Sequence, residues 1–468
     1  MYKQSIYNIM CKNFENETVM INTFSGNILR ISGKKTPMFE SVIRDINNCK
    51  NKKIIDYLSK NGFIVPMDVD EGHMAKISYK EKISDNKKLI LTIMPTEACN
   101  FSCPYCYEKR NNKRMTKEII DNMIKKIQKI LFEYKTLVIN WFGGEPLLAI
   151  DIIEEISEKI RGICANQKKT FIAGITTNGY ELTYSNFCIL KKCNVVSYTI
   201  TLDGEQSYHN KTRVHINGSP TFDRIIDNLS EIKCKEKSGI MEFIIRTNYT
   251  KDNIFKRDEW ERFLNERFLS DRRFKYLPRY AWNNSNNKLP DETYIEFEFD
   301  DNVSIQNNIS MELDQRNHWN NMQHLSKLDY AIFIEEKLQQ LKNGTTICPA
   351  GLPNSLVIGA DGAIYKCQVL FDDQRNKVGS IYNGENEELF NENITNWIEY
   401  DTESPRLKNC WECSIYPYCY GIGCAAKSML DTKVRARWCE MFKEDVLKKI
   451  FILTYYNHYL DLEELLDY

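Results

Sequence analysis

Three cysteines in one short stretch carry the clearest chemistry in this sequence. Cys99, Cys103 and Cys106 stand at spacings of four and three residues, directly after the apolar run 89–94. That run predicts a buried strand ended by Pro95, so the cysteines lie on a loop at the carboxyl end of the strand. Thiolate is the ligand that iron–sulfur clusters take, and three ligands on a four-iron cube leave one iron open.

Two other chemistries fit these cysteines when they are considered alone. Cys103 and Cys106 form a C-x-x-C pair, which is typical of dithiol redox motifs and also common in zinc sites. A second signature argues against both alternatives. The strand-like run 137–142 leads into Gly143-Gly144-Glu145-Pro146, a sequence that neither a redox fold nor a zinc fold requires.

Together the two motifs resemble those of the radical SAM superfamily. They are the C-x-x-x-C-x-x-C loop, with Tyr105 before its third cysteine, and G-G-E-P some forty residues later. The resemblance implies an α/β fold with a partial (β/α)6 barrel. It also implies a 4Fe–4S cluster on Cys99, Cys103 and Cys106 and S-adenosylmethionine (SAM) as the second cofactor.

Alternating strand and helix patterns over residues 88–282 agree with such a barrel. Apolar periodicity predicts six strands, at 89–94, 136–141, 170–175, 195–201, 241–247 and 274–280. Helices are predicted between them, for example over 117–131. Alternating βα units form parallel sheets with right-handed crossovers, and chemistry in such barrels gathers at the carboxyl ends of the strands.

Several polar motifs follow the second and third of these strands. We expect Gly143 and Gly144 to let the backbone approach a ligand closely, which a side chain would prevent. Glu145 supplies a carboxylate that can accept hydrogen bonds from the methionyl ammonium group of SAM. The hydroxyl of Thr177 and the amide of Asn178 suit a ribose or a carboxylate, although a plain turn explains these two residues as well.

Two stretches after the fourth strand resemble motifs of the peptide- and protein-modifying branch of the superfamily. Residues 201–204 read T-L-D-G where that branch has S-x-D-G, and residues 209–213 read H-N-K-T-R where it has H-D-x-x-R. The resemblance implies that Arg213 pairs with the SAM carboxylate through its planar guanidinium. It also implies that Thr201, Asp203 and Tyr105 line the SAM site. Residues 246–248 after the fifth strand form a polar cluster at the same mouth or a plain solvent-facing strand end.

Seven further cysteines follow residue 347, in an order that resembles the SPASM domain with its two auxiliary 4Fe–4S clusters. We place this domain at residues 348–440. The resemblance assigns the first auxiliary cluster to Cys348, Cys367 and Cys424, and the second to Cys410, Cys413, Cys419 and Cys439. Four residues rather than the usual three separate Cys419 from Cys424, and a pair of zinc sites is the alternative. Seven thiols leave one iron of the two cubes for another protein group or for a substrate thiolate.

The segments outside the barrel and the SPASM domain have weaker patterns. Residues 1–75 predict a hairpin (17–22 and 27–31), two helices (37–47 and 53–61) and a short strand (63–66). This order is similar to the winged-helix RiPP recognition element, which captures a leader peptide by strand addition; a packing domain without a ligand is the alternative. The remaining expectations are a polar linker over 68–88, a connecting region at 283–347 with a helix at 326–342, and a C-terminal helix at 441–468.

Composition limits the partners and the compartment. Hydrophobic residues make up 42% and charged residues 27%, with a formal net charge of −1. These values are typical of a globular protein without a broad basic field, so we expect no nucleic acid partner. No apolar run approaches the length of a membrane span, so we expect no membrane association and a cytoplasmic location. Sixteen cysteines in a reducing compartment indicate metal binding. We expect the six outside the two groups to be small buried residues.

The resemblance implies a reaction as well as a fold. It is closest to the thioether-forming maturases of sactipeptides and ranthipeptides, which act on ribosomally made precursor peptides. Such an enzyme cleaves SAM to a 5′-deoxyadenosyl radical, abstracts hydrogen from the peptide and uses an auxiliary cluster as electron acceptor. An external one-electron donor such as flavodoxin or ferredoxin supplies the reducing electron.

Three alternatives remain open at this point. The same machinery can form carbon–carbon or carbon–oxygen crosslinks. Formylglycine formation in sulfatases is a second alternative, which the lack of a cysteine between Cys348 and Cys367 disfavours. The third is a non-enzymatic iron–sulfur or zinc protein. The sequence singles out no catalytic base.

Overall fold

The computed structural model describes most of the first 281 residues and parts of the remainder. The described residues are 1–12, 17–84, 87–108, 111–237, 239–281, 338–339, 341, 348–382, 389–390, 394, 397, 410–420, 446–447, 449–450, 453 and 459–461. They belong to two compact units. The first unit comprises the described parts of Met1–Ser84, Phe297–Cys348 and Glu399–Tyr468, and the second those of Asp85–Glu296 and Pro349–Ile398. The predicted module 348–440 is therefore divided between two units.

The N-terminal part of the first unit contains, among its described residues, two small antiparallel sheets and three α-helices. Its strands are β1 (Tyr2–Gln4), β2 (Asn8–Lys12), β3 (Thr18–Asn22), β4 (Asn27–Ile31) and β5 (Ile64–Pro66), and its helices are α1 (Thr36–Arg44), α2 (Lys52–Lys60) and α3 (Glu71–Ile83). β2, β3 and β4 are adjacent in that order, and β1 pairs with β5. The predicted hairpin, two helices and short strand are all observed. The assignment of this unit as a leader-binding winged helix stays a prediction.

Helix α3 occupies residues that we expected to be a polar linker. The Asp70 side chain caps its first turn by accepting a hydrogen bond from the His73 N–H at 2.9 Å. Ala75, Tyr79 and Ile83 are buried at intervals of four residues, so they lie on one face of the helix. The linker prediction was wrong because charged residues are interspersed with this apolar stripe, which hides the helical period in the sequence.

The second unit contains the predicted parallel sheet. Its strands are β6 (Lys88–Ile93), β7 (Thr136–Trp141), β8 (Thr170–Thr177), β9 (Val195–Thr201), β10 (Glu242–Tyr249) and β11 (Phe274–Tyr280). They are adjacent in sequence order and parallel throughout. All six predicted strands are therefore confirmed, and their carboxyl ends share one edge. In β7 the alternate residues Leu137, Ile139 and Trp141 are buried, which is the period expected of a strand.

Helices connect these strands, as the crossover rule requires. They are α4 (Lys117–Ile130), α5 (Ile150–Gln167), α6 (Tyr184–Lys192), α7 (Gln206–Thr212), α8 (Phe222–Lys235) and α9 (Arg257–Leu264). Helix α4 buries Ile120, Met123 and Ile127, a spacing that covers one helical face. Burying each such side chain contributes about 1.5–3 kcal/mol.

Three strands from the predicted auxiliary-cluster region extend the same sheet. They are β12 (Ser355–Ile358), β13 (Ala363–Tyr365) and β14 (Lys377–Ser380). β12 lies parallel to β6, with Leu356 opposite Leu91, and β13 and β14 follow antiparallel. The hairpin predicted near Cys367 is present, but it belongs to the unit of the parallel sheet.

The end of the chain differs from the predicted helix 441–468. Leu460–Asp461 form a short strand, β15, parallel to Leu29–Arg30 of β4. Most of the predicted helix and of the helix 326–342 lies outside the described residues.

Of the six isolated cysteines, Cys164 and Cys193 are buried, but Cys234 is exposed, so our expectation was wrong for that residue. Within the described part of the chain, no helix is both long and apolar enough to cross a membrane.

Candidate active site

The cysteine loop begins where β6 ends and is fixed to a second segment of the barrel. The Ser102 N–H donates to the Val214 carbonyl at 2.8 Å, and the Ile216 N–H donates to the Asn100 carbonyl at 2.8 Å. Both bonds are made by residues that lie between Cys99 and Cys103. The loop that carries the three thiols is therefore held by the residues that follow α7.

Backbone contacts with the cysteine loop explain both glycines of the second motif. A Cβ added to Gly143 would lie 2.5 Å from the Thr96 carbonyl oxygen, and one added to Gly144 would lie 2.3 Å from that of Ala98. We expected these glycines to admit a ligand. Their missing side chains instead make room for the backbone of residues 96–98. The Glu145 N–H then reaches the Ala98 carbonyl at 2.8 Å.

Glu145 is fully buried and held by three donors. Its Oε1 accepts from the Leu147 N–H at 3.0 Å and from the Thr177 hydroxyl at 2.7 Å, and its Oε2 accepts from the Asn178 N–H at 2.7 Å. Burial raises the pKa of Glu145, and the bonds from Asn178 and Thr177 oppose that rise. A carboxylate has about four acceptor positions. One therefore remains for a ligand donor such as an ammonium group.

Thr177 and Asn178 serve mainly to position their neighbours. The Thr177 hydroxyl donates to Glu145 and also accepts from the Gly179 N–H at 3.0 Å. The Asn178 Nδ2 donates to Asn100 Oδ1 at 2.7 Å. These bonds join the end of β8 to the Glu145 loop and to the cysteine loop, so these residues do more than form a plain turn.

A second polar chain runs from Asp203 to the cysteines. Asp203 is fully buried; its Oδ1 accepts two bonds from Asn248, each 3.1 Å, and its Oδ2 accepts a hydrogen bond from the Tyr105 hydroxyl. Arg213 Nη1 in turn donates to the Tyr105 hydroxyl at 2.9 Å and to Cys103 Sγ at 3.7 Å. Burial, and secondarily Asp203, raise the pKa of Tyr105 although Arg213 opposes them. Tyr105 therefore stays a neutral link between the two charges.

Arg213 is a buried cation in need of a further partner. It is 6% exposed, and no described carboxylate forms an ion pair with it. Burial alone lowers the pKa of the guanidinium, but the nearby Tyr105 and Cys103 outweigh burial and hold the pKa above its ordinary value. Its Nε has no hydrogen-bond partner, and neither has the Nδ2 of the buried Asn100. Unpaired buried donors are costly, so their presence here indicates a ligand with acceptor groups.

The three thiols lie on the same short loop, and the charge of Cys103 affects the pKa of the other two. Burial, followed by the charge of Glu145, raises the pKa of Cys99 to about 12, and Cys103 and Cys106 add to that rise. Burial likewise raises the pKa of Cys106 to about 11. Arg213 lies next to this loop and donates a hydrogen bond to Cys103 Sγ. Three adjacent cysteines beside a cation fit an iron–sulfur cluster. Among the described residues, no three Cys, His, Asp or Glu side chains group as the ligands of a single ion.

Other predicted residues lie at the same edge with different roles. Thr201 is buried at the end of β9. Of the polar cluster at residues 246–248, Asn248 binds Asp203, and the Thr247 hydroxyl donates to the Leu202 carbonyl at 2.7 Å. Arg246 Nε donates to Asn248 Oδ1 at 3.1 Å. The cluster thus braces the Asp203 loop rather than forming a plain solvent-facing strand end.

Our sequence reasoning missed several residues that organise this site. Asn100 lies between Cys99 and Cys103. The Asp203 N–H donates to His209 Nδ1 at 3.2 Å, and Asn253 Nδ2 donates to the Asp203 carbonyl at 3.0 Å. His209 stands within a quoted motif and was a signal available in the sequence. Asn253 is fifty residues from its partner, and no spacing rule indicates it.

The auxiliary cysteines are only partly described. The buried Cys367 follows β13, where its N–H donates to Asn376 Oδ1 at 2.7 Å. Cys410, Cys413 and Cys419 lie on a turn and one helical turn of the first unit, with the Cys413 N–H donating to the Cys410 carbonyl at 2.9 Å. Cys348 also belongs to the first unit. Cys424 and Cys439 lie outside the described residues, so both auxiliary ligand sets stay predictions.

Comparison with known proteins agrees with this site. The family model described as the Radical SAM superfamily matches residues 93–262, a range that contains the cysteine loop, Glu145, Asp203 and Arg213 but not the auxiliary cysteines. The chain is 25% identical over 396 residues to a cysteine-type anaerobic sulfatase-maturating enzyme of Clostridium novyi, covering 79% of this chain and 97% of that one. It is 27% identical over 158 residues to a serine-type anaerobic sulfatase-maturating enzyme of Bacteroides thetaiotaomicron, covering 31% and 37%.

A solved structure shares the fold. The structure of native anSMEcpe with bound AdoMet and Kp18Cys peptide aligns with a TM-score of 0.52 at 18% sequence identity. The alignment covers 71% of this chain and 88% of that one. At this identity the likeness shows the fold alone.

Proposed function

The protein is a radical SAM enzyme, and we propose that it matures a ribosomally made precursor peptide by joining a cysteine sulfur to the carbon of another residue. One observation carries the SAM-dependent part of this proposal. Three thiols, a buried carboxylate and a buried guanidinium without a carboxylate partner meet at one edge of the parallel sheet.

The residues of the site divide the binding of SAM between them. Arg213 would pair with the methionyl carboxylate, which supplies the missing partner of its buried charge. Glu145 would accept from the ammonium group at its remaining lone-pair position. Asp203 and Tyr105 hold the guanidinium in place. When bound, SAM and the 4Fe–4S cluster on Cys99, Cys103 and Cys106 supply a 5′-deoxyadenosyl radical.

The cysteines beyond residue 347 support a thioether product. We propose that Cys348, Cys367 and Cys424 hold one auxiliary 4Fe–4S cluster and that Cys410, Cys413, Cys419 and Cys439 hold another, which gives three clusters per chain. Seven thiols leave one iron without a cysteine ligand. A cysteine of the substrate peptide can fill that position, which would bring its sulfur to the site.

A peptide substrate is supported by two independent features. The first unit has the strand and helix order of a peptide-binding element, and extended peptides bind such elements by adding a strand. The structurally similar anSMEcpe was solved with a bound peptide. We propose that the N-terminal residues 1–75 bind the leader of the precursor, and that a flavodoxin or ferredoxin supplies electrons.

Formylglycine formation in a sulfatase is the second candidate. It is favoured by the sulfatase-maturating enzyme of Clostridium novyi, which aligns over 97% of its length. The resemblance of the second cysteine block disfavours it, because the sulfatase-maturing branch has a further ligand between the positions of Cys348 and Cys367. The two candidates need the same SAM site and differ in substrate.

Anaerobic reconstitution tests the proposal in two stages. We expect about twelve irons per chain, since three cubes hold about four each, and release of 5′-deoxyadenosine when SAM and a reductant are added. Colourless protein with bound zinc would exclude the enzyme that we propose. The second stage uses two peptides: the cysteine-rich precursor encoded beside this gene, where one exists, and a sulfatase-derived peptide with a cysteine.

Mass spectrometry separates the products of the second stage. A thioether removes two hydrogen atoms from the peptide and leaves its cysteine resistant to alkylation. A formylglycine residue instead carries an aldehyde that reacts with a hydrazide probe. Aldehyde formation on the sulfatase peptide, without crosslinking of the precursor, would replace the first candidate by the second.

A further inference from the structure

The outer edge of β4 in the first unit is covered by a distant segment of the same chain. Leu460 pairs with Leu29 and Asp461 with Arg30, in parallel register. We propose that this edge is the docking edge for an extended peptide with an aromatic residue followed by leucine, and that Tyr459–Asp461 holds it until such a peptide displaces them. The inference rests on the proposed function for the source of the peptide.

Side chains on both faces of the sheet recognise the segment. Leu460 packs against the cluster that contains Leu29, Ile31 and Phe39. Tyr459 packs against the cluster on the opposite face, which contains Ile28. Successive residues of a strand point to opposite faces. We therefore expect this edge to bind an extended peptide with an aromatic residue followed by leucine.

Arg30 adds a polar component to this recognition. Its guanidinium carbon lies 4.4 Å from the centre of the Tyr459 ring, which is cation–π geometry. Glu17 holds the same guanidinium through an ion pair of 3.3 Å, and the two side chains are only 22% and 14% exposed. The ion pair with Glu17 fixes the Arg30 guanidinium independently of any bound peptide, so the cation–π site for an aromatic residue is preorganised.

The covering segment is held to β4 by few described pairs. Among the described residues, two pairs join β15 to β4, whereas five pairs join β4 to β3. Backbone pairing supplies affinity for any extended chain, and the alternating side chains supply selectivity. The opposite edge, β2, presents the exposed Met10 and the charged Lys12. Among the described strands, one from a distant part of the chain pairs with the outer edge of β4 and none with that of β2, so we take β4 as the docking edge.

Tethering makes the covering segment an effective competitor. A segment linked to its site experiences an effective concentration in the millimolar range when the linker allows it to reach. A free peptide of equal intrinsic affinity must therefore compete with that concentration. A precursor that carries the same pattern and is held at a second point, such as the barrel mouth, can displace it.

Peptide binding to the whole protein tests the inference without any substrate. The probe is a fluorescent synthetic peptide of residues 455–464, titrated by anisotropy into the wild-type chain and a variant that lacks residues 459–468. We expect at least tenfold tighter binding to the shortened chain, since its edge is open. The full-length Leu460→Asp variant should also bind the probe more tightly than wild type, which covers the case in which the deletion fails to fold.

Control variants locate the binding to β4. In the shortened chain, Arg30→Ala should weaken binding about two- to fivefold through the lost cation–π contact, whereas Met10→Lys on β2 should leave it unchanged. A probe with aspartate in place of Leu460 should not bind. Equal affinity of wild type and both opened variants would overturn the inference, as would no binding to opened variants that unfold at the wild-type temperature. Neither result depends on 5′-deoxyadenosine release, whose absence from wild type would instead refute the proposed function.

Discussion

Gly144 offers the most direct test of how the active site is assembled. Gly143 has a φ of +113°, whereas Gly144 does not have a positive φ. An alanine at position 144 would therefore be disfavoured by steric overlap and not by backbone conformation. The added Cβ would lie 2.3 Å from the Ala98 carbonyl oxygen and 2.5 Å from that of Glu97, whereas ordinary contact begins at 3.4 Å. Because both obstacles are backbone atoms of the cysteine loop, no rotamer change can relieve the clash.

The size of the effect follows from the displacement. To accommodate the methyl group, the Glu145 loop and the cysteine loop must separate by about 1 Å. The 2.8 Å bond from the Glu145 N–H to the Ala98 carbonyl then exceeds hydrogen-bond distance. A misplacement of about 1 Å can lower a catalytic rate about 100-fold, or about 2.7 kcal/mol of barrier. Overpacking also lowers the free energy of unfolding by about 1–3 kcal/mol.

The assay is the rate of 5′-deoxyadenosine release by reconstituted Gly144→Ala protein, with thermal unfolding measured in parallel. Gly162→Ala is the matched control, because a Cβ at that position in α5 has no atom within 4 Å. Its helix should gain about 0.5–1 kcal/mol, and its rate of release should be unchanged. A wild-type rate and stability in Gly144→Ala would refute the view that the two motifs are held in contact through their backbones.

Three further predictions concern single side chains. Arg213→Lys should weaken SAM binding at least tenfold in equilibrium dialysis, because an ammonium group cannot reproduce a bidentate carboxylate contact; unchanged affinity would remove Arg213 from the SAM site. Cys99→Ala should abolish SAM cleavage while the exposed Cys234→Ala keeps it, and equal turnover in both would contradict the cluster assignment. Burial lowers the pKa of His209 well below its ordinary value of 6.5, so the unfolded chain binds a proton near pH 6 that the folded chain does not. Stability should therefore fall on acidification from pH 7 to 5, and His209→Asn, which keeps an acceptor for the Asp203 N–H, should show a smaller fall in thermal unfolding temperature.

Local patterns in the sequence were sufficient to predict the six strands of the parallel sheet and their order. The six strands were predictable because each is an apolar run bounded by turn residues, and the βα alternation then set their order. The pairing of β12 with β6 joins residues more than 260 positions apart, and no local pattern specifies such a contact. The strand at Leu460–Asp461 was missed for the same reason, since its partner β4 lies at the other end of the chain.

The sequence motifs identified the residues of the site but not the groups that each residue contacts. Gly143, Gly144 and Thr177 were expected to meet a ligand, yet their contacts are with other protein groups. Among the described residues of the site, the Arg213 Nε, the Asn100 Nδ2 and the His209 Nε2 have no hydrogen-bond partner, and Glu145 keeps one acceptor position. The distinction depends on which donors and acceptors are already paired, and pairing is a property of the folded chain.

Whether a group is already paired within the protein determines whether its mutation should mainly affect SAM affinity or stability. Losing a group with unused capacity removes a contact that only the bound ligand completes, so Asn100→Ala should affect SAM affinity more than stability. Losing a fully paired group leaves its protein partners unsatisfied, so Thr177→Val should lower stability, because the buried Glu145 carboxylate loses a 2.7 Å donor. Glu145 belongs to both classes, since it has three protein donors and one free position. Its replacement by Gln should therefore weaken SAM binding and also disturb the junction of β7 with β8.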